Sequence, residues 1–456
     1  MRRTLLIGLA CAACTPWASP DESRGDAQVS RDAQVSPDAE APRDARVLPD
    51  AEREDAGSRP CADPTGDATE VVTGTIRASQ TWSCDNIYLI VGEVQVFAPV
   101  TITIEPGTVI KAADEAALVF RQGARLVANG RADAPVVFTS NEASSSPGEW
   151  RGIALMGRAG PEGDVEHGLT VDQPYGGTDD DHDCGTLRYV RIEWAGDNVV
   201  EDDGDHSLGA LVLAGCGTGT VVDHVQVRQS EWEGVVVQGG SVRLRHLVLT
   251  NVGDEALDWR NGWNGSAQFV LARLQTTGSG SELTGIGLQA DGPGDGPIIA
   301  NATLVGMIGT RQARDAFYAE DEAEAVVTHS IFIGWGNAVL DVEGATVAST
   351  TGEPPPLRID RSIMWTSRLD PLEDAADPAF DERAHLSAAA RMNLLDVDPL
   401  LEWSTGSGFG MRPGVGSPVD DVGCGDTDPR LDSGACYAGG IAPGAVDWSV
   451  GWTIVD

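Results

Sequence analysis

Short segments of alternating apolar residues recur along the chain, most of them bounded by glycine. The first series comprises residues 152–157, 209–215, 234–240, 256–262, 285–292 and 337–344. A second series comprises residues 189–192, 224–227, 246–249, 330–333 and 362–365. Between their best-matched members both series advance by 22 residues, from 234 to 256 and from 224 to 246. Apolar alternation predicts β-strands, and a fixed period in the twenties predicts a stacked solenoid.

The period predicts the architecture of one coil. About 22 residues make three short strands and three turns, and successive coils stack at roughly the 4.8 Å spacing of paired strands. A leucine-rich repeat has a similar period, but it requires regular leucines and an asparagine at fixed offsets, which are absent here. We therefore predict an all-β fold, a right-handed parallel β-helix solenoid with loop excursions and a short lateral helix near the C-terminus.

Composition divides the chain into three parts. Residues 1–14 have a basic start, a short apolar run and small residues before a cysteine, which predicts a secretion signal too short to span a bilayer. Residues 15–60 are rich in Asp, Ala and Pro and predict a disordered tether. The β-helix domain is predicted over 61–456, with excursions at 157–187, 197–206 and 370–398. Residues 399–456 are predicted to form the last coil and a C-terminal cap.

The signal resembles that of bacterial lipoproteins, whose processed cysteine carries lipid. Cys14 and Cys11 both compete for this role. If Cys14 is used, Cys11 leaves with the signal and six cysteines remain, whereas use of Cys11 leaves Cys14 as an odd thiol. Six cysteines in an exported chain predict three disulfides among fifteen possible pairings. We predict nearest-neighbour pairing: Cys61 with Cys84, Cys184 with Cys216 and Cys424 with Cys436.

Charge limits the partners. The formal net charge is −39, which opposes binding to nucleic acid because phosphate backbones require Lys and Arg. Lys111 is the only lysine, so a lysine-based catalytic centre is excluded unless Lys111 itself serves. The 55 glycines suit a turn-rich β protein whose corners need positive φ.

Several segments resemble a known family. They are residues 101–111, 134–140, 150–157, 175–177, 187–196, 239–247 and 412–418, together with the ending around Trp448 and Trp452. They are similar to bacterial surface lipoproteins and secreted proteins with right-handed, pectin-lyase-like β-helix repeats and no assigned reaction. The resemblance spans nearly all of residues 70–456. It implies the fold and says little about function.

An acidic turn carries the candidate catalytic residues, Glu231, Glu233, Asp254, Glu255 and Asp258. The 22-residue period stacks the first two carboxylates near the next two on one face. Such a cluster suits either a Ca²⁺ site or a pair of carboxylates flanking a glycosidic bond. The alternative is a solvated acidic turn, and the denser acidic runs of the resembling proteins at these turns weaken any transfer of a role.

Three further groups are candidates for binding. Two loops offer oxygen ligands for Ca²⁺, from Asp179, Asp180, Asp181 and Asp183 and from Asp202, Asp203 and Asp205. Four tryptophans in neighbouring coils offer flat faces for stacking on sugars, or pack the turns instead: Trp194, Trp232, Trp259 and Trp263.

His224 and His246 are predicted to stack on an outward face; metal ligation would need a third ligand, and none recurs at that position. Arg188, Arg191, Arg243 and Arg245 are expected on solvated outer faces.

These observations favour a lipid-anchored, non-catalytic envelope protein whose loops bind glycan or another envelope component. The alternatives are a polysaccharide lyase or glycoside hydrolase acting at residues 231–258, and a structural spacer. We expect a monomer, attached to the membrane only through its lipid. The residues after Cys14 do not resemble an acidic inner-membrane retention signal, which favours the outer membrane.

Overall fold

A computed structural model describes residues 61–455, apart from 166–167, 172, 202–203, 275–284, 295, 308–313, 372–379, 404–408 and 426–427. For 198–201 and 204–207 it describes the backbone alone. The chain divides into the units Met1–Ser58 and Arg59–Asp456, and the described residues lie in the second. The signal and tether predicted over residues 1–60 therefore lie outside the described residues.

The chain winds through three parallel sheets, here named A, B and C in the order in which a coil visits them. Hydrogen bonds join 25 strands into one continuous parallel set. Sheet A contains Gln80–Trp82, Thr101–Ile104, Arg125–Asn129, Ala325–Thr328 and Leu357–Asp360. Sheet B contains Val109–Ala112, Val136–Ser140, Ile331–Ile333, Ile363–Trp365 and Leu394–Leu395. Sheet C contains Ala117–Phe120, Gly152–Met156, Leu211–Ala214, Val235–Gln238, Glu255–Arg260, Ile286–Asp291, Phe317–Glu320 and Asp341–Val342.

Longer strands bend from one sheet into the next. Five of them run from sheet A into sheet B: Gly185–Glu193, Val221–Arg228, Arg243–Thr250, Ser266–Arg273 and Ile298–Val305. Two run from sheet B into sheet C: Glu70–Ile76 and Ile87–Val96. The register repeats with the predicted step of 22, since Val225 pairs with Leu247 and Val235 with Leu257. The parallel β-helix prediction is confirmed.

A single residue in the left-handed region makes the corner between sheets A and B. One such residue lets the strand turn sharply without a loop, and its side chain then projects outward. The corner residues have φ between 48° and 63°: Tyr189, His224, His246, Phe269, Asn301, His329 and Arg361. This geometry places the two predicted stacking histidines directly above one another.

The core fills the interior of the coils. In sheet A, Leu187, Val222 and Leu244 lie in register on neighbouring strands and are at most 2% exposed. Trp82, Trp150, Trp263 and Trp335 are also fully buried. Complete burial of one aliphatic side chain contributes roughly 1.5–3 kcal/mol, so the stack is stabilised along its whole length.

Two hairpins leave the stack. The first, Gly163–Val165 with Gln173–Tyr175, packs on the outer face of sheet C through Val165, Leu169 and Tyr175. The second is Asn198–Glu201 with Gly204–Ser207. The first hairpin therefore covers the apolar part of the outer face of sheet C, and its described residues do not extend over the later, polar part.

Among its described residues, the predicted helical excursion at 370–398 contains the α-helix Glu382–Ser387. Asp381 caps its first turn by accepting a hydrogen bond from Ala384 N at 2.7 Å. The described residues of the C-terminal third also form the 3₁₀ helices Gly344–Thr350, Ala389–Arg391 and Pro418–Asp420. A further small antiparallel pair joins Leu401–Glu402 to Arg412–Pro413.

The C-terminal segment differs from the predicted last coil and cap. The described residues of 409–455 run back along the outside of the stack toward earlier coils, from Arg361, whose Nη1 donates to Val422 O, to Arg191, whose Nη1 donates to Trp452 O. Most of them lie on sheet B, and the loop around Arg430 and Asp432 contacts sheet A. The physical reason is that the outward positions of sheet B are apolar at Val248, Leu271, Ile331 and Ile363. They form one cluster with Leu401, Phe409, Met411, Val419, Val422, Ala438, Ile441 and Trp452.

Three disulfides have the predicted pairing. Cys61 bonds Cys84, Cys184 bonds Cys216, and Cys424 bonds Cys436. The second tethers the end of the first excursion to the next coil, and the third closes a loop in the C-terminal segment.

Candidate functional site

The acidic turn lies where the chain passes from sheet B into sheet C. Glu255 and Asp258 lie on the strand Glu255–Arg260, and Glu233 lies one coil earlier. Glu255 is 7% exposed and Asp258 is 0% exposed. The 22-residue stacking therefore brings Glu233 to Glu255 as predicted, but the carboxylates nearest to each other are largely closed to solvent.

The environment of Glu255 favours its neutral form. Burial raises the pKa of Glu255 well above its usual range, and the charges of Asp254, Asp258 and Glu233 raise it further. Desolvation disfavours a carboxylate, and like charges add to the penalty.

Asp258 forms an ion pair with a neighbouring arginine. Arg260 Nε donates to Asp258 Oδ2 at 3.1 Å, and the guanidinium Nη2 contacts the same oxygen. The Asp258 carboxylate in turn raises the pKa of Arg260. Asp258 Oδ1 is buried and has no hydrogen-bond partner among the described residues. The turn thus combines a buried acid whose neutral form is favoured with a carboxyl group paired to a guanidinium.

Glu231 does not join this group. Its carboxylate lies directly against Gly148 in the loop that precedes sheet C. Burial, followed by the charge of Glu231 and of Asp114, raises the pKa of Asp197 to about 6. Glu231 therefore belongs to a second acidic group on the sheet B side of the turn.

Sequence reasoning missed another pair of carboxyl groups further along sheet C. Asn337 Nδ2 donates to Asp315 Oδ1 at 2.8 Å and to Asp341 Oδ2 at 3.1 Å. Burial, followed by the charge of Asp341, raises the pKa of Asp315 to about 7. Asp341 occupies the same outward register as Tyr318, and that register could have singled it out once the inward positions were assigned.

The tryptophan prediction is wrong for two of its four members. Trp259 is 3% exposed and Trp263 is 0% exposed. Trp259 packs against Trp263 and Phe317, with ring centroids 6.1 and 5.5 Å away, and Trp263 Nε1 donates to Val242 O. Trp194 and Trp232 are half-buried, so only these two present indole surface beside the acidic turn.

The first predicted metal loop does not converge. Asp179 Oδ2 lies 3.2 Å from His182 Nδ1, Asp181 Oδ1 accepts from Thr218 Oγ1, and Asp183 pairs with Arg125. The backbone oxygen of Asp180 accepts a hydrogen bond from Ser241 Oγ. In the second loop, Asp202 and Asp203 and the side chain of Asp205 lie outside the described residues. Among described residues, the three potential ligands that converge are instead Asp223, His224 and His246.

The strand arginines lie on outer faces, and two of them face acids. Arg188 Nε is 3.7 Å from Asp223 Oδ2, and Arg191 Nε is 3.0 Å from Glu193 Oε1. Arg243 is exposed, and the Arg245 guanidinium lies 5.4 Å from the Phe269 ring centre. Arg188 and Arg243 are exposed as expected, whereas the Arg191 side chain is only 19% exposed because the C-terminal segment covers it.

A separate cavity of about 770 Å³ lies between the Cys424–Cys436 loop and the outer face of sheet A. Arg358 and Arg391 line it, and both pair with Asp360, at 2.8 and 2.9 Å. The charges of this cavity are therefore largely matched internally. Sequence alone could not indicate it, because its walls come from the C-terminal segment and the stack.

The lipidation candidates Cys14 and Cys11 lie outside the described residues. Within the part of the chain that the structure describes, no helix has the length and apolar character needed to cross a membrane.

Comparison with known proteins supports the fold independently. The family model described as "Pectate-lyase like beta helix domain" matches residues 74–356. No curated protein and no solved structure matches the chain. The matched span begins in the first coils and ends just before the strand Leu357–Asp360, so it covers most of the stack described above. The chain belongs to the family of pectate-lyase-like β-helix domains.

Proposed function

We propose that this protein is an exported, lipid-anchored component of the bacterial envelope that binds a linear glycan along the outer face of sheet C without cleaving it. The observation that carries this proposal is a row of half-buried polar side chains in register on successive strands: Gln238, Arg260, Asp291 and Glu320. Their spacing is that of paired strands, roughly 4.8 Å, which suits a polymer lying parallel to the solenoid axis.

One wall of this face is built by the first excursion. Asn261 Nδ2 donates to the Tyr175 hydroxyl at 2.9 Å, so the hairpin lies beside the end of the strand Glu255–Arg260. Trp194 and Trp232 are half-buried, and each belongs to a segment that leads from sheet B into sheet C. Indole faces suit contact with the apolar faces of sugar rings, and the polar side chains supply hydrogen bonds.

The charge of the face restricts the ligand. Burial and neighbouring carboxylates raise the pKa values of Asp291 and Glu320. The Arg260 guanidinium opposes this shift at Asp291, and a hydrogen bond from the Tyr318 hydroxyl opposes it at Glu320. A polymer of uronates would add like charge to this surface, which is costly. We therefore propose a neutral or amino-bearing glycan.

Burial supports a non-catalytic role. Glu255, Asp258 and Asp315 have the environments expected of acid–base groups, yet none is more than 7% exposed. A general acid must come within about 3 Å of the atom that it protonates. The half-buried polar side chains in register on this face are reached by solvent and are suited to hydrogen bonding with a ligand.

Export and anchoring rest on the N-terminal sequence and on the cysteines. Three disulfides are typical of a chain that matures in an oxidising compartment. Cys14 at the end of the signal is the proposed lipid acceptor, with Cys11 as the alternative, and the outer membrane is the proposed location.

The binding proposal is tested by affinity electrophoresis of the full chain through neutral, amino-bearing and uronate polymers. We expect retardation by a neutral or amino-bearing polymer, weakened about tenfold or more by Trp232→Ala and by the pair Asp291→Asn and Glu320→Gln. Asp133→Asn, at an exposed acid, is the matched control and should leave binding unchanged. Binding that is equal in the wild type and the sheet C variants contradicts the proposal. Absence of binding to every polymer also contradicts it and favours a structural spacer.

The anchoring proposal is tested by metabolic labelling with a radioactive fatty acid. Label should enter the wild-type chain and be lost in Cys14→Ser but kept in Cys11→Ser. The reverse pattern assigns the lipid to Cys11. Absence of label from the wild-type chain contradicts the anchor.

A polysaccharide hydrolase or lyase is the second candidate. It is favoured by the contrast between the environment of Glu255, which is buried among carboxylates, and that of Asp258, which pairs with Arg260. Enzymes that use two carboxylates place them in different environments. Release of sugar fragments from any polymer, abolished by both Glu255→Gln and Asp258→Asn, would replace the binding proposal. Binding without fragments would retain it.

A further inference from the structure

The corner between sheets A and B brings together three potential metal ligands from two coils. Asp223 Oδ1 lies 2.7 Å from His246 Nδ1 and 2.9 Å from His224 Nδ1. One ligand atom from each residue lies within 4.8 Å of the other two. The third ligand that the histidine pair lacked in sequence is supplied by the residue immediately before His224, because the left-handed corner turns both side chains toward the same point.

Neighbouring groups orient each ligand. Arg188 Nε faces Asp223 Oδ2 at 3.7 Å, which leaves Oδ1 directed to the histidines. Tyr189 stacks on His224 with ring centroids 4.4 Å apart, and Phe269 stacks on His246 at 5.0 Å. Stacking on one face of each imidazole limits rotation of both rings.

Hydrogen bonding within the cluster accounts for only part of this arrangement. His246 Nδ1 is aligned with Asp223 Oδ1 for a hydrogen bond. His224 Nδ1 is close to the same oxygen, yet it is buried and has no aligned hydrogen-bond partner among the described residues. A buried ring nitrogen directed at a carboxylate without a hydrogen bond is an available ligand.

The dimensions are close to those of a bound ion. Zn²⁺ binds imidazole nitrogen at about 2.0–2.1 Å and carboxylate oxygen at about 2.0–2.2 Å, so tetrahedral ligand atoms lie about 3.4 Å apart. The two carboxylate–imidazole separations, 2.7 and 2.9 Å, need to lengthen by only about 0.5–0.7 Å to reach that value. Their side chains are 24%, 14% and 22% exposed for Asp223, His224 and His246, so an ion has access from solvent.

The donor set selects the class of metal. Two imidazoles and one carboxylate suit Zn²⁺, Cu²⁺, Ni²⁺ or Fe²⁺, whereas Ca²⁺ requires six to eight oxygens. We propose that Asp223, His224 and His246 form a binding site for a divalent transition-metal ion that links two adjacent coils beside the C-terminal segment. Trp448 borders this site, with its ring centroid 4.9 Å from that of His246. This proposal is independent of glycan binding on sheet C.

The test is a Zn²⁺ titration of the full chain by calorimetry, in excess Ca²⁺ and Mg²⁺ to occupy the acidic surface. We expect one site per chain. Asp223→Asn, His224→Gln and His246→Gln should each weaken it by about 100-fold or more, since loss of an outer partner alone costs 10–100-fold. The matched control is His329→Gln, because His329 occupies the same corner in a later coil and faces Gly423 O. That variant should bind as the wild type does.

A second readout keeps the test decisive if a variant folds poorly. Co²⁺ added to the wild-type chain should produce visible ligand-field absorption that Zn²⁺ displaces and that His246→Gln lacks. Circular dichroism without metal establishes that each variant is folded. The proposal is overturned if the folded wild type gives no Co²⁺ bands, or if Zn²⁺ affinity is equal in the wild type and the three ligand variants.

Discussion

The side chain of Gln226 holds the backbone of Ile454 through two hydrogen bonds, across 228 residues of sequence. Gln226 Nε2 donates to Ile454 O at 2.7 Å, and Ile454 N donates to Gln226 Oε1 at 2.9 Å. Gln226 is 0% exposed, so the end of the chain is locked to an outward position of sheet B. The C-terminal segment is thus an integral part of the fold.

Trp452→Ala tests the contribution of this segment. Trp452 is 1% exposed and lies in the apolar cluster on sheet B. Its truncation should lower the free energy of unfolding by about 3–5 kcal/mol, measured by urea denaturation, because it leaves a cavity. Trp403→Ala is the control, since that side chain is 43% exposed. Equal effects of the two variants would contradict the docking described here.

Glu255 and Asp258 should respond differently to amide substitution. Burial and neighbouring carboxylates raise the pKa of Glu255, so Glu255→Gln removes a group whose charged form is disfavoured and should change stability by less than about 1 kcal/mol. Asp258→Asn removes the carboxyl group that pairs with Arg260 and should cost about 1–3 kcal/mol. Chemical denaturation at pH 7 measures both, and a larger loss in the Glu255 variant would contradict this difference in environment.

Asp315 should make stability depend on pH. Its pKa is about 7 in the folded chain and 3.8 ordinarily, so between these values the native state binds more protons than the unfolded state. The contribution of Asp315 is therefore fully present below about pH 4 and is lost as pH rises toward 7. Asp315→Asn should gain stability relative to the wild type over this window, measured as Tm at pH 4.5 and 7.5.

The comparison for this pH effect is Asp133→Asn, which changes an exposed carboxylate. Its Tm should follow the wild type at both pH values. Parallel pH profiles for the wild type and Asp315→Asn would show that Asp315 titrates normally.

The disulfides should differ in their contribution according to the loops that they close. Cys184 and Cys216 are separated by 32 residues, and Cys424 and Cys436 by 12. Restriction of the unfolded chain predicts losses of about 4 and about 3 kcal/mol when each pair is replaced by serine. Urea denaturation of the two double variants measures this order. A greater loss for the shorter loop would show that native packing dominates.

The candidate site was predictable where it follows from the strand period. That period placed Glu233 next to Glu255, because stacked coils repeat their outward positions. It could not separate Glu231 from this group, because its direction depends on the loop containing Gly148. The period also included Trp259 among the candidates. Its side chain points into the core, because Trp259 pairs in register with the buried Ala290.

The sequence by itself determined the solenoid and its period, since both depend on regularly spaced residues. Nearness in sequence favoured the disulfide pairing that the structure shows, but among fifteen possible pairings only the structure decided it. The tertiary structure decided the path of the C-terminal segment, because the apolar outer face of sheet B exists only after the coils have stacked. It also decided the convergence of Asp223 with His224 and His246, because that depends on the backbone angle at each corner. Local periodicity specifies which residues stack, whereas packing between distant segments specifies which side chains meet.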